Sequence, residues 1–374
     1  MKPNCIKAGR FLWYFYPKKY NGIDILFVFK NGDMGGAECV QLEVLKAAQG
    51  HTSLTILSHK SKNGHFLNEY SKYTKIEDLS NISHFIVGRW IMAGYIQKTI
   101  EKSDIKLIFG SLSGLLYDIA FSIKQVQTKF IDLFHACDSN IEYYSLESVG
   151  KLDKRIVIDT NTGKCLKELY RNKGLHKHED HFQLMNNGVH VPSYFKKEYT
   201  ADLNVLYVGR DVPIKRVHLI RKIAEQLKFF KFKLVGVPPN LADPKNLNSV
   251  GEVKDLTAIY TEAHILLLLS KREGFPMAIM EAMSYGIVPI CTNVGGISVD
   301  IENGVNGFLI EAEDEEAIVN NAIEILEKLE RDREMLMKIS EAAYQYAKEH
   351  FDIKVFNQKY KDLFHKYVGN KNDG

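Results

Sequence analysis

Two glutamates, Glu273 and Glu281, stand in the run SKREGFPMAIMEAMSYGIVP at 270–289. A carboxylate accepts hydrogen bonds well from a vicinal diol. Pro276 falls where a first helical residue is expected and Gly286 where a helix stops, so the spacing predicts a helix from about Phe275 or Pro276 to Gly286. Along such a helix the two carboxylates lie roughly 10 Å apart, a separation that suits two hydroxyl-bearing rings joined by a diphosphate. The helix start between them favours anionic oxygens. The plainer alternative has Glu273 capping the helix and Glu281 in solvent. Ala278, Ile279, Ala282 and Met283 make the helix almost wholly apolar, however, and a glutamate inside it needs a partner.

Three other places hold residue types of use to the same chemistry. In GRDVPIKRV, Arg210 and Lys215 flank a short loop containing Pro213. A guanidinium fork and a point-like ammonium there suit a diphosphate, with a solvated surface pair as the alternative. In KNGDMGGAE, Gly35 and Gly36 precede a helix expected from about Ala37, which fits either an approach to phosphate or a tight turn. Gly295 and Gly296 repeat that arrangement. His135 ends an apolar run and is placed to hydrogen-bond a substrate hydroxyl. The cluster His176, His178 and His181 has metal-like spacing but sits in a charged stretch, and reads as solvated loop.

The elements that must position these residues are short apolar runs alternating with amphipathic helical patterns, the mark of parallel sheets covered by helices. Strands are expected at 23–29, 53–58, 84–88, 105–111, 129–135 and 155–160, and again at 204–209, 232–236, 248–251, 264–270, 288–293 and 307–310. From 314 onward three helical segments follow. A chain of 374 residues exceeds one comfortable core, so two domains are expected. A net charge of +3 gives no reason to expect a nucleic-acid partner. The five cysteines, Cys5, Cys39, Cys137, Cys165 and Cys291, show no ligand spacing and read as reduced thiols in a cytosol. Neither a membrane-spanning run nor an export signal is read. The aromatic stretch FLWYFYPKKY at 11–20 is expected to pack as a strand or tail on its own domain, with contact to a membrane interface as the second reading.

In this order the residues resemble the retaining glycosyltransferases of family 4. The resemblance rests on Glu273 and Glu281 in E-x7-E form within EGFPMAIMEAMSYGIVPICTNVGG, on GGAE at 35–38, on VLYVGR at 205–210 with Lys215, and on NGV at 187–189. It implies an α/β chain of GT-B type, with two Rossmann-like doubly wound parallel-sheet domains facing across a cleft. Residues 1–197 would bind the acceptor, with 1–20 as an extension. Residues 198–350 would bind the nucleotide-sugar, and 351–374 would form a helix packing back on the first domain. By position, Arg210 and Lys215 would hold the diphosphate and Glu281 the ribose. Glu273 would meet the donor sugar beside Gly274, Phe275 and Pro276, Gly35 and Gly36 would approach the diphosphate, and His135 would face the transferring sugar.

The resemblance implies a UDP-sugar or GDP-sugar donor and a saccharide or lipid-linked saccharide acceptor in cell-surface glycan synthesis. The site would be cytoplasmic, with peripheral contact at the inner membrane face. No cofactor and no essential metal are expected, since the D-x-D motif of metal-dependent transferases is absent from the sequence. The sequence departs from the family's pattern at Val299, where an acidic residue is common and Asp300 comes one place later, and at Arg216, where glycine commonly follows the lysine. A nucleotide-sugar epimerase or a non-catalytic binding subunit are the competing readings.

Overall fold

The computed structural model describes residues 1–369 except 122, 124–126, 136, 138–140, 194–196, 200–201 and 274–275. The chain divides into two compact units, Met1–Asn186 together with the residues from Phe356 on, and Asn187–Val355.

The first unit is built on seven strands, β1 (Ile25–Phe29), β2 (Ser53–Leu57), β3 (Lys75–Asp78), β4 (Leu107–Ser111), β5 (Lys129–Phe134), β6 (Lys154–Val157) and β7 (Phe182–Leu184). Their order is β3-β2-β1-β4-β5-β6-β7, and every pairing is parallel. The second unit carries six strands, β8 (Asn204–Val208), β9 (Lys231–Val235), β10 (Leu247–Ser249), β11 (Ile265–Leu268), β12 (Val288–Thr292) and β13 (Phe308–Ile310). These run in the order β10-β9-β8-β11-β12-β13, again parallel throughout. Continuous apolar runs such as Ile25–Phe29 and Ile265–Leu268 are buried along their whole length, as strands covered on both faces must be. The α/β class with two doubly wound parallel sheets is therefore the observed one. Sequence order reverses between β1 and β4 in the first sheet and between β8 and β11 in the second. Ligands of open parallel sheets bind beyond the carboxyl ends of strands at such points.

Four local expectations are corrected. The run at 84–88 is not a strand; helix Ile86–Ile100 begins inside it and Phe85, Ile86 and Val87 are exposed. A short apolar run does not distinguish a strand from a helix start. The third strand is instead Lys75–Asp78, an edge strand whose alternation of charge and partial burial carries no apolar run. The N-terminus forms a helix, Lys2–Leu12, packed on helix Ile86–Ile100 so closely that a Cβ on Gly9 would lie 1.8 Å from the Ile91 carbonyl oxygen. Trp13 is buried and donates to the Lys18 carbonyl, whereas Phe11, Tyr14, Phe15 and Tyr16 face outward, Tyr16 being 73% exposed. Fourth, Cys137 and Cys165 are disulfide-bonded. Cys137 follows β5, Cys165 lies in the helix after the neighbouring β6, and pairing of these strands closes a separation of 28 residues.

Cys39 is exposed, Cys5 partly so and Cys291 buried. An alkylating reagent on the native protein is thus expected to modify Cys39 fastest and to spare Cys291. Cys137 and Cys165 should react only after reduction, as peptide mass spectrometry would read.

Helix Ile353–Val368 ends the described chain. Its Phe364 ring meets Phe27 and Phe109 edge-on, at centroid distances of 6.1 and 5.9 Å. Beneath the first sheet, Arg155 and Asp132 are each 1% exposed and bonded through Nη2 to Oδ2 at 2.7 Å. Tyr117 donates to Asp132 and Arg155 to the Tyr170 hydroxyl, each at 2.9 Å, which closes the cluster. Among the described residues no helix is long and apolar enough to cross a membrane.

Candidate functional site

The loops leaving β8 and β11 meet because those strands are neighbours. The Lys271 amide donates to the Ile214 carbonyl at 2.8 Å, tying one loop to the other. Lys215 ends a 3-10 turn, Pro213–Lys215, and its Nζ lies 2.5 Å from Glu273 Oε1. The Glu273 side chain is 8% exposed and that of Lys215 21%, so the pair sits in a sheltered position with one side of the ammonium open. Arg210 is exposed. Its carbonyl is fixed by the Tyr207 hydroxyl at 3.0 Å and the Val212 amide at 3.1 Å, which pins the backbone while leaving the guanidinium outward. Gly236 approaches this loop with φ of +81°, and a Cβ there would lie 2.5 Å from the Gly209 carbonyl oxygen, so the site requires glycine.

Arg216, where glycine is common in the resembled family, holds a left-handed conformation with φ of +50°. A Cβ in that region costs roughly 1–2 kcal/mol, which gives the family's glycine a physical reason. Arg216 is held through Nε near Glu315 at 3.7 Å.

The helix bearing Glu281 spans Met277–Ser284, with Pro276 as its extended N-cap. It therefore starts one residue later than Pro276. Gly274 and Phe275 lie outside the described residues. The partner that Glu281 needs is the Tyr260 hydroxyl, which donates to Oε2 at 2.6 Å. Tyr260 in turn stacks on Tyr285 with ring centroids 5.5 Å apart. Tyr260 escapes sequence reasoning because a tyrosine before β11 looks like ordinary core. Ser270, buried at the carboxyl end of β11, also escapes it; its hydroxyl has no hydrogen-bond partner.

Burial lifts the Glu281 carboxyl above its ordinary value of 4.5, against the lowering effect of the Tyr260 hydroxyl. A carboxyl raised in the folded state binds its proton more tightly there than in the unfolded chain. Its stabilising contribution is complete below pH 4.5 and is lost as pH rises through the folded value. Glu281→Gln is accordingly expected to melt a few degrees above the parent at pH 7, with the advantage vanishing below pH 4.5. Thermal denaturation at the two pH values checks this.

Gly295 has φ of +65°, a true glycine position, and Gly296 caps the short helix Ile297–Asp300. Asp300 accepts from the Tyr346 hydroxyl at 2.9 Å and Val299 is exposed. Asp300 is thus engaged with the helix Arg333–His350.

In the first unit, helix Gly36–Ala47 starts at Gly35 with φ of −177°, extended backbone that any residue adopts. A Cβ there would meet only the flexible Glu38 carboxylate. Burial raises the Glu38 carboxyl. The loop before this helix is tied down by Asp33, whose Oδ1 accepts from the amides of Lys62, Asn63 and Gly64 at 2.7–3.3 Å. His135 stands at the carboxyl end of β5 with Nε2 3.0 Å from Ser111 Oγ. Burial drives its pKa down to about 4, so the imidazole is neutral near pH 7. His176 to His181 form a 3-10 turn with none of them buried. Among the described residues no group of three or more His, Cys, Asp or Glu is placed to hold a metal ion.

Residues 193–346 match the model of the family described as glycosyl transferases group 1. This segment is similar to the glycosyl transferases of group 1. It contains Arg210, Lys215, Glu273 and Glu281. N-acetyl-alpha-D-glucosaminyl L-malate synthase of Bacillus anthracis is 25% identical over 205 residues, which are 48% of this chain and 54% of that protein. UDP-Gal:alpha-D-GlcNAc-diphosphoundecaprenol alpha-1,3-galactosyltransferase of Escherichia coli is 31% identical over 127 residues, 34% of this chain and 32% of that one. The chain thus spans about half or less of the length of these curated relatives. Anabaena HepE, solved in complex with UDP, is 17% identical with a TM-score of 0.74, covering 92% of this chain and all of HepE. The two parallel-sheet units have the GT-B fold seen in that structure.

Proposed function

We propose that the chain is a retaining, family 4 glycosyltransferase. It moves a sugar from a nucleoside-diphosphate donor, a UDP-sugar ahead of a GDP-sugar, to a saccharide or lipid-linked saccharide in cell-surface glycan synthesis. The observation that carries this reading is the ion pair between Lys215 and Glu273 at the reversal point of the second sheet. A diphosphate departing from a sugar develops negative charge, and a preorganised cation beside it stabilises that charge. Lys215 and Arg210 would take the diphosphate, Glu281 the ribose and Glu273 the sugar hydroxyls, with the backbone of Gly274, Phe275 and Pro276 alongside. Gly35 and Gly36 would approach the diphosphate, and His135 would accept from a hydroxyl of the transferring sugar. The acceptor attacks on the face that the nucleotide leaves, and the leaving phosphate takes the proton, so the anomeric configuration is kept and no protein nucleophile or metal is required.

UDP as the nucleotide is supported by the UDP bound to HepE and by the UDP-Gal in the name of the Escherichia coli relative. The diphosphoundecaprenol in that name supports a lipid-linked acceptor. The outward Phe11, Tyr14, Phe15 and Tyr16 beside Lys18 and Lys19 suit peripheral contact with the inner membrane face.

A panel of UDP-, GDP- and other nucleotide-sugars, read by nucleoside diphosphate release with and without chelator, tests the reading. Release from one donor family, unchanged by chelator and with the anomeric configuration kept in the NMR spectrum of the product, is expected. Release from no donor would overturn it.

A further inference from the structure

His135 is bonded to Ser111, and behind Ser111 a buried chain continues into the first unit. Gln41 Nε2 lies 3.0 Å from Ser111 Oγ, Gln41 Oε1 lies 2.9 Å from the Tyr70 hydroxyl, and that hydroxyl is also 3.1 Å from the Glu38 carbonyl oxygen. Ser111 and Gln41 are each 1% exposed and Tyr70 is fully buried. These groups lie on three elements, β4, helix Gly36–Ala47 and helix Leu67–Ser71, so the fold has brought together an uninterrupted polar line in its interior. A buried line of this kind is costly unless each contact has one proton.

Counting protons fixes its direction. Tyr70 owns one proton and faces two oxygen acceptors when Gln41 turns Oε1 toward it, so one of the two contacts goes unserved. The two ends of a carboxamide have nearly the same shape, and the partners decide its orientation. With the Gln41 NH₂ turned toward Tyr70, every contact is served once. Tyr70 donates to the Glu38 carbonyl, Gln41 donates to the Tyr70 oxygen, Ser111 donates to Gln41 Oε1, and His135 Nε2–H donates to Ser111. The proton on a neutral imidazole is placed by the bond its other nitrogen makes. Here that leaves Nδ1 bare.

We propose that Tyr70, Gln41 and Ser111 are positioning residues that hold His135 in its Nε2–H tautomer, with Nδ1 kept as the acceptor for a substrate hydroxyl. The proposal rests on the reading of His135 as a substrate contact. Its test separates the two through a readout that needs no turnover.

The ¹⁵N NMR shifts of the His135 ring in the full-length protein, assigned with the variant His135→Gln, report the tautomer directly. The expected result is a protonated Nε2 and a bare Nδ1. Gln41→Leu frees the Ser111 proton to bond Nε2, and should move both ring nitrogens toward the Nδ1–H form. Tyr70→Phe, which removes one oxygen and keeps the ring, should move them in the same direction if Gln41→Leu does not fold. In Gln41→Leu, kcat should fall about tenfold, the worth of one hydrogen bond, with KM for the donor unchanged within twofold. An Nδ1–H tautomer in the parent protein overturns the proposal. So do ring shifts that move in neither variant while both retain native circular dichroism. If the tautomer moves as expected but His135→Gln turns over at the parent rate, the relay stands and the substrate contact of His135 falls.

Discussion

Lys215→Ala is expected to lower kcat/KM for the nucleotide-sugar by about 10²–10³-fold, the effect of removing one preorganised charge from a site where negative charge develops. The same change strips Glu273, whose side chain is 8% exposed, of its ammonium partner, which costs about 2 kcal/mol of stability. The two consequences are separable. Lys215→Ala combined with Glu273→Gln no longer leaves a sheltered carboxylate unpaired, so thermal stability should return toward that of the parent while activity stays low. If the pair is only structural, activity should recover together with stability. Lys215→Arg keeps the charge but replaces a compact ammonium by a broad fork and should restore activity only in part. Steady-state kinetics beside thermal denaturation of the same preparations read all three variants.

The largest stability effect is expected in the first unit, for Arg155→Met. Its guanidinium bonds Asp132 through Nε and Nη2 and Tyr170 through Nη1, and it lies 5.0 Å from the centre of the Phe134 ring. Removing it strands Asp132, itself 1% exposed, in an apolar interior. Breaking a buried pair from one side costs about 3–5 kcal/mol. In a unit of this size that corresponds to a fall of about 10 °C in Tm. Arg155→Met with Asp132→Leu, which removes both charges and leaves apolar groups of similar volume, should recover most of the loss. Differential scanning calorimetry distinguishes these outcomes, since a fall of under about 2 °C in the single variant would mean that the pair contributes little.

What could be read in advance follows from what each feature depends on. β1, β8 and β11 were legible because central parallel strands are largely apolar, and the residues following them stood out for that reason. β3 and β7 were not, because an edge strand such as Lys75–Asp78 is partly exposed and carries charge. Residues 84–88 misled because three apolar residues at a helix start, Phe85, Ile86 and Val87, look like a strand until the helical period has had room to show. Lys215 and Glu273 were each legible as chemistry, yet their contact was not. It spans 58 residues and depends on β8 and β11 being neighbours, which sheet order alone decides. The same holds for the Cys137–Cys165 bond. Tyr260 and the line of Tyr70, Gln41 and Ser111 behind His135 were invisible for another reason. Each residue in them is unremarkable by type, and only their three-dimensional approach gives them a role. Gly35 shows the opposite case, where the residue type invited a conformational argument that an extended φ of −177° does not need.

The central claim is that the reversal point of the second sheet holds the diphosphate of a nucleotide donor through Lys215 and Arg210. Isothermal titration calorimetry with UDP and with GDP, on the parent protein and on Lys215→Ala, tests it most directly. One nucleotide is predicted to bind at one site per chain, with affinity reduced at least tenfold in Lys215→Ala, the loss of one charge-assisted bond. Absence of binding by either nucleotide, or binding that Lys215→Ala leaves unchanged, would contradict the account.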